Sequence, residues 1–394
     1  MLNPVSPPQS PATRPATAAL RVVAIGGGTG LSTLLRGLKR YVPAPAASRR
    51  ATDALARTRP EAEPAPNPAF PPGSPADRRA QPNALPSPYV IQDLAAIVTV
   101  TDDGGSSGRL REDLNMLPPG DVRNCMVALS EDEHLLARLF QHRFHQGDLD
   151  GHSFGNLFVA ALSEITGDFA QAVQMSSQIL ATRGRIYPAT NTNVTLTARM
   201  DDGSLVHGET SITASPHRIV ELILMPADAE PLPGALDAIA NADLITIGPG
   251  SLYTSLITNL LVRGIPQAIA ASRAARVYVG NLMTQANESL GLTASQHIEK
   301  IMQHCNGGSS GKSAGPLFRL FDYALINTGP ISPTLLAQYA REGQAPIEAD
   351  LDRIRVLGVE PIPGNFVNEG SVLRHDPDRV TEALLQLALK STVA

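Results

Sequence analysis

The stretch ALRVVAIGGGTGLSTLLRGLK, residues 19 to 39, reads as a strand, a glycine turn and a helix in immediate succession. Apolar and β-branched residues run almost unbroken from Leu20 to Ile25, as in a strand buried on both faces. Leu31, Leu34, Leu35 and Leu38 then recur at helical spacing. Gly26, Gly27, Gly28, Thr29 and Gly30 lie between, where backbone amides can approach an anion and the helix N-terminus adds partial positive charge. The turn departs from the dinucleotide pattern G-x-G-x-x-G, since Leu31 stands in the place of its third glycine. A helix-capping turn is the bland reading; phosphate or nucleotide contact is the one the rest of the chain favours.

The same rhythm recurs along 394 residues. Strands are expected at 94–100, 242–248, 275–281 and 323–328, most of them followed by helical patterns such as YTSLITNLLVRG, LTASQHIEKIMQHC and SPTLLAQYAREG. The class is therefore α/β and Rossmann-like, a mostly parallel sheet with helices on both faces. Residues 121–184 read as a helical insertion. Residues 185–225 read as a small β-hairpin lobe turning at Asp202-Gly203. Residues 1–18 and the Ala/Pro-rich tract 43–88 are expected to be disordered, the second as an insert within one domain spanning 19–394.

Composition excludes several classes. A formal charge of −5 gives no field for nucleic acid, and Cys125 and Cys305 make neither a disulfide framework nor a zinc spacing. No apolar run approaches the ~20 residues that cross a bilayer, and the N-terminus lacks a signal-peptide core. A cytoplasmic protein without membrane insertion is expected.

Ligands of parallel sheets collect beyond the carboxyl ends of the strands. TDDGGSSGR follows the second strand and carries Asp102, Asp103, Ser106, Ser107 and Arg109; its glycines suit an anion, its two acids a hydroxyl or a cation. GPGSLYTS, from Gly248 to Ser255, offers backbone amides and hydroxyls, although Ser251, Thr254 and Ser255 also suit helix capping. LPPGDVRNC brings Asn124 to a helix start, and GHSFGN brings His152 and Asn156 to another. NGGSSGKS, Asn306 to Ser313, lacks the first glycine and the preceding strand of a P-loop and reads as a surface loop. His142, His145 and His152 with Asp148 and Asp150 do not have zinc spacing.

Taken in order, IGGGTGLSTLLRGLK, IVTVTDDGGSSGRLR, LPPGDVRNC, GHSFGNLFVAAL, ADLITIGPGSLYTS and YVGNLMTQ resemble the YvcK-like family of gluconeogenesis factors, which is related to the CofD-type 2-phospho-lactate transferases. The resemblance implies a nucleotide-bearing ligand, with UDP-sugars such as UDP-N-acetylglucosamine the associated class, and a role in cell shape and wall synthesis during gluconeogenic growth. By position it implies phosphate or ribose contacts at Gly248, Gly250, Ser251, Thr254 and Ser255, a ligand segment at Asn281, Thr284 and Gln285, and Asp102 and Asp103 facing an acceptor or Mg²⁺. Many relatives continue that segment with Pro-Gly-Glu-Thr; this chain has Ala286-Asn287-Glu288-Ser289. Partners implied are a UDP-sugar or other nucleotide and wall-synthesis or shape-determining proteins, with a homodimer open.

Two function classes follow. One is a ligand-binding regulator, supported by phosphate-suited loops without an evident nucleophile and base. The other is a CofD-type Mg²⁺-dependent transferase, whose chemistry asks mainly for positioning and charge neutralisation. A nicotinamide dehydrogenase rests on the strand pattern alone, and the acid it requires near position 48 would fall in the insert.

Overall fold

The computed structural model describes residues 18–43, 88–131, 135–286, 288–305 and 319–393. The N-terminal tail before Ala18, nearly all of the Ala/Pro tract and the Asn306–Ser313 loop lie outside these residues.

The first strand, β1 (Ala18–Gly26), is buried from Val22 to Gly26. It pairs in parallel with β2 (Tyr89–Val98) on one side and with β7 (Leu244–Ile247) on the other. Beyond β2 lies β3 (Arg185–Pro188); beyond β7 lie β8 (Ala275–Val279), β9 (Tyr323–Asn327) and β10 (Glu360–Gly364). The seven strands form one sheet in the order β10-β9-β8-β7-β1-β2-β3, every pairing parallel. Wholly buried strands such as β7, LITI, explain why the sequence shows unbroken apolar runs here instead of alternation. Ion pairs brace the amino ends of neighbouring strands: Arg21 to Asp243 at 2.9 Å and Arg276 to Asp322 at 2.7 Å.

Helix α1 (Gly28–Lys39) turns Leu31, Leu34, Leu35 and Leu38 into the core. It packs against the Gly120–Leu129 and Pro377–Val393 helices. Its approach to the latter is close: a Cβ on Gly37 would sit 2.3 Å from the Pro377 carbonyl oxygen. The Pro233–Ala240 helix covers β2 and β3 from the opposite face and packs on the Ile265–Ala271 helix.

The helical region contributes Gly120–Leu129, Leu135–Gln141, Phe154–Thr166 and Phe169–Ile179. The lobe is a three-stranded antiparallel sheet, β5-β4-β6, from β4 (Thr195–Met200), β5 (Leu205–His207) and β6 (Ile219–Met225). Two assignments change. Arg185–Pro188, expected with the lobe, is the edge strand of the main sheet. The second arm of the hairpin expected to turn at Asp202-Gly203, SLVHGETSI (204–212), breaks at Gly208, whose φ of +86° turns the chain into the Glu209–Ala214 helix.

Candidate functional site

Chain order reverses between β1 and β7, so the loops that leave their carboxyl ends diverge to opposite faces and leave a crevice between them. The glycine loop fills one side of it. Gly27 is the N-cap of α1 and has no side chain to satisfy the first amides of the helix. The Gly28 backbone stabilises the charged Asp121 carboxylate against the effect of burial, while a Cβ on Gly28 would meet nothing within 4 Å. A side chain at Gly27 would strike Thr99 at 2.5 Å and Asp121 at 2.7 Å; one at Gly30 would strike the Pro249 carbonyl at 2.4 Å. These glycines let the loops after β1 and β7 interlock.

The other side starts with Pro249 to Ser251 and runs into a wide, π-type helical turn, Leu252–Ile257. Asn259 ties it down by donating to the Gly26 and Ser255 carbonyls at 2.9 and 2.7 Å. Between the loops opens a cleft of about 530 Å³, within the size range of small-molecule sites.

The cleft brings together Gly27, Gly28, Thr29, Gly30, Gly250, Ser251, Thr254, Ser255, Asn281, Thr284 and Gln285. Gly26 and Gly248 lie beneath the loops and shape them. Gln285 Nε2 donates to Ser251 Oγ at 2.9 Å, which joins the β8 loop to the β7 loop. Glu288, from the segment that departs from the relatives' pattern, is buried and accepts from Thr254 Oγ1 at 2.9 Å and the Tyr253 amide at 3.4 Å. Burial holds its carboxyl above the usual range.

Other residues of the cleft gave no sign in the sequence. A hairpin of β11 (Val367–Glu369) and β12 (Leu373–His375) adds Arg374 and His375. His375 Nε2 lies 3.0 Å from the Gly280 carbonyl oxygen, and burial lowers the ring's pKa to about 4. Nε2 is therefore the protonated donor of a neutral ring. Arg374 is then the one cationic side chain among the described lining residues.

Ser106, Ser107, Arg109, Asn124, His152 and Asn156 do not line this cleft. Ser106, His152 and Asn156 form a buried cluster instead: Ser106 Oγ lies 3.1 Å from His152 Nδ1 and accepts from Asn156 Nδ2 at 3.1 Å. Burial, then the Arg109 charge, lowers the His152 pKa. Ser153 caps the Phe154–Thr166 helix by accepting from the Asn156 amide and accepts from Arg123 at 2.6 Å. Arg109 donates to the Asp150 carbonyl at 2.7 Å, and Asn124 accepts from Arg123 at 2.7 Å.

Asp102 and Asp103 splay apart. Asp102 accepts from the Gly104 amide at 3.0 Å. Asp103 reaches the lobe, where it accepts from the Thr210 amide at 2.8 Å and hydroxyl at 2.6 Å, capping the Glu209–Ala214 helix from outside. As a pair they do not converge on one cation; the one cluster of three convergent metal-type ligands among the described residues is the exposed Asp201, Asp202 and His217. The acids that do crowd the glycine loop are Asp102, Asp121 and Glu209. Burial first, then mutual repulsion, pushes the Asp121 pKa up to about 6 and that of Glu209 well above the ordinary range. Glu209 lines the cleft and accepts from Thr101 Oγ1 at 3.2 Å.

Fold and cleft define a Rossmann-like α/β protein with its candidate binding cleft at a topological switch point. The chain belongs to the family described as 2-phospho-L-lactate transferase CofD, whose family model matches residues 22–367. Within it stand the gluconeogenesis factors. This chain is 44% identical to the gluconeogenesis factor of Halalkalibacterium halodurans over 367 residues, covering 93% of this chain and 95% of the relative. It is 39% identical to that of Bacillus subtilis over 369 residues, covering 93% and 98%. A crystal structure of a UPF0052 family member from Bacillus halodurans matches with a TM-score of 0.76 and 43% identity, over 93% of this chain and 99% of that one. Among the described residues no helix is long and apolar enough to cross a membrane.

Proposed function

We propose that the protein is a cytoplasmic nucleotide-sugar sensor: it binds a UDP-sugar such as UDP-N-acetylglucosamine in the switch-point cleft and couples that binding to cell-wall synthesis and cell shape during gluconeogenic growth. One observation carries the reading. The side-chain-free start of α1 and the hydroxyls of Ser251, Thr254 and Ser255 face one cleft, with Arg374 the one cation among the described residues that line it. Backbone amides, hydroxyls and one guanidinium suit a diphosphate.

The acids have a place in this reading. Carboxylates repel phosphate but accept hydrogen bonds from hydroxyls, so Glu209 at the lobe wall suits the sugar and not the diphosphate. In the second reading, CofD-type transfer, the crowding of Asp102, Asp121 and Glu209 favours a divalent cation, which would neutralise charge beside the phosphates. Asp102 and Asp121 are the residues that would hold it.

Calorimetric titration with UDP-N-acetylglucosamine, UDP-glucose, GDP and NAD, each with and without Mg²⁺, decides between them. The expected result is UDP-sugar binding that weakens about 10- to 100-fold in Arg374→Ala, the effect of losing one charged hydrogen-bonding partner. Binding of GDP only, and only with Mg²⁺, replaces the sensor with the transferase.

A further inference from the structure

Beside the cleft, at the carboxyl ends of β8 and β9, lies a second cavity of about 240 Å³. Asn281 and Leu282 belong to the walls of both, so the smaller cavity is an annex of the larger. Its lining is mostly apolar, with Leu282, Ala294, Ile326, Leu336 and Ile347. One buried polar group breaks that lining. His297, with 0% of its surface exposed, has an Nε2 atom without a hydrogen-bond partner among the described residues.

The tautomer of His297 follows from its neighbours. Tyr278 Oη lies 3.2 Å from His297 Nδ1, the one hydrogen-bond partner of that hydroxyl among the described residues. Donation to Nδ1 satisfies the buried hydroxyl proton, which makes Nδ1 the acceptor and leaves the ring proton on Nε2. Burial lowers the pKa of this imidazole to about 4, so the ring is neutral near pH 7. Of the other polar side chains in the wall, Asn281 stands at the junction with the cleft, Asn327 is spent on the Gly329 carbonyl and the Phe366 amide, and Thr328 is exposed, so His297 Nε2–H is the buried donor that the annex offers.

Given a nucleotide in the cleft, as proposed above, we infer that the annex is the base subsite, in which His297 Nε2–H donates to a ring-edge acceptor of the nucleobase. Only one part of a nucleotide-sugar matches that chemistry. The diphosphate needs several donors, and a hexose carries hydroxyls that apolar walls would strand. A base is uncharged and planar, with apolar faces and carbonyl or ring-nitrogen acceptors at its edge. The ligand is thereby oriented: base over β8 and β9, diphosphate between the loops after β1 and β7, sugar toward Glu209 and the lobe. Asn281, shared by both cavities, marks the passage from base to ribose.

The inference rests on the nucleotide reading of the cleft, and the test separates the two. Wild-type protein and the variants Leu336→Trp and His297→Phe are titrated with UDP, 2-thio-UDP, 4-thio-UDP and ribose 5-diphosphate, and the His297 imidazole is followed by ¹H–¹⁵N NMR. The expected result is that wild type binds ribose 5-diphosphate at least about tenfold more weakly than UDP and one thio analogue about 3- to 10-fold more weakly, as for the loss of one hydrogen bond. UDP shifts the Nε2 proton. Leu336→Trp, which fills the annex from its half-buried rim, weakens UDP about tenfold or more while leaving ribose 5-diphosphate unchanged. His297→Phe abolishes the discrimination between UDP and the thio analogue; if it fails to fold, the analogues on wild type and the Leu336→Trp titration decide the question. UDP binding that is equal in wild type and Leu336→Trp, with the Nε2 proton unmoved, overturns the base subsite and leaves the diphosphate site standing. Binding of neither UDP nor ribose 5-diphosphate overturns the nucleotide reading itself.

Discussion

Acid should destabilise the protein through His297. Its pKa is 6.5 as an ordinary histidine and about 4 in the fold, because burial disfavours the charged ring. As pH falls below 6.5 the unfolded chain takes up a proton that the folded chain refuses, so stability is lost on acidification. Each tenfold difference in proton affinity is worth about 1.4 kcal/mol, which puts the full loss at about 3 kcal/mol well below pH 4 and the loss at pH 5 at about 2 kcal/mol. At pH 7.5 the effect is close to nothing.

Asp121, Glu209 and Glu288 act with the opposite sign, since their raised pKa values favour the folded state as carboxyls protonate. A direct pH profile of the wild type would mix the two. His297→Gln isolates the histidine, because Gln keeps an acceptor for Tyr278 and does not titrate. Urea unfolding of both proteins at pH 7.5 and pH 5 should show the wild type losing about 2 kcal/mol more than the variant. Profiles that run parallel to within about 0.5 kcal/mol would mean that His297 titrates as an exposed histidine does, and both its burial and its assigned tautomer would fail.

Three further outcomes are expected. Gly30→Ala drives a methyl group to 2.4 Å from the Pro249 carbonyl, so it should lower stability by about 1–3 kcal/mol and weaken nucleotide binding; an unchanged urea midpoint would show that the two loops do not interlock. Asp103→Ala removes the acceptor of both Thr210 bonds and should speed amide exchange across Glu209–Ala214, at a cost of about 1.5–3 kcal/mol; exchange confined to its wild-type rate would return Asp103 to the metal role. Glu288 contributes stability that is present below pH 4.5, its ordinary pKa, and lost as pH rises through its higher folded value. Glu288→Gln should therefore gain on the wild type as pH rises from 5 to 8, and a constant difference across that range would contradict the assignment.

The sheet was legible where burial is complete. Val22–Ile25, Leu244–Ile247 and Val277–Val279 leave no alternation to mislead, and the glycines after β1 and β7 mark the crossing point directly. β10 was not, because EPIPG carries two prolines that deny ladder donors; as an edge strand it tolerates them. SLVHGETSI carries strand-favouring residues, yet the left-handed Gly208 and the external cap from Asp103 impose a helix on its second half. The destination of Asp103 illustrates the general reason: its partner, Thr210, is 107 residues away. His297 shows the same limit in another form. Its spacing on the Ala294–Cys305 helix is that of a core residue, and only the apposition of Tyr278 and the annex gives its free edge a meaning.

The ends of the Ala/Pro tract are clasped at its base. Ile91 donates to the Tyr41 carbonyl at 2.9 Å, Ala18 to the Pro88 carbonyl at 3.0 Å, and the Tyr41 and Tyr89 rings meet edge to face at 6.5 Å. This clasp stands at the amino ends of the strands, across the thickness of the molecule from the cleft. For any flexible connection between ends held in this way, doubling the length costs only about 0.6 kcal/mol. The clasp therefore marks a place, on the far side of the molecule from the cleft, at which a tag or reporter can be spliced into the chain.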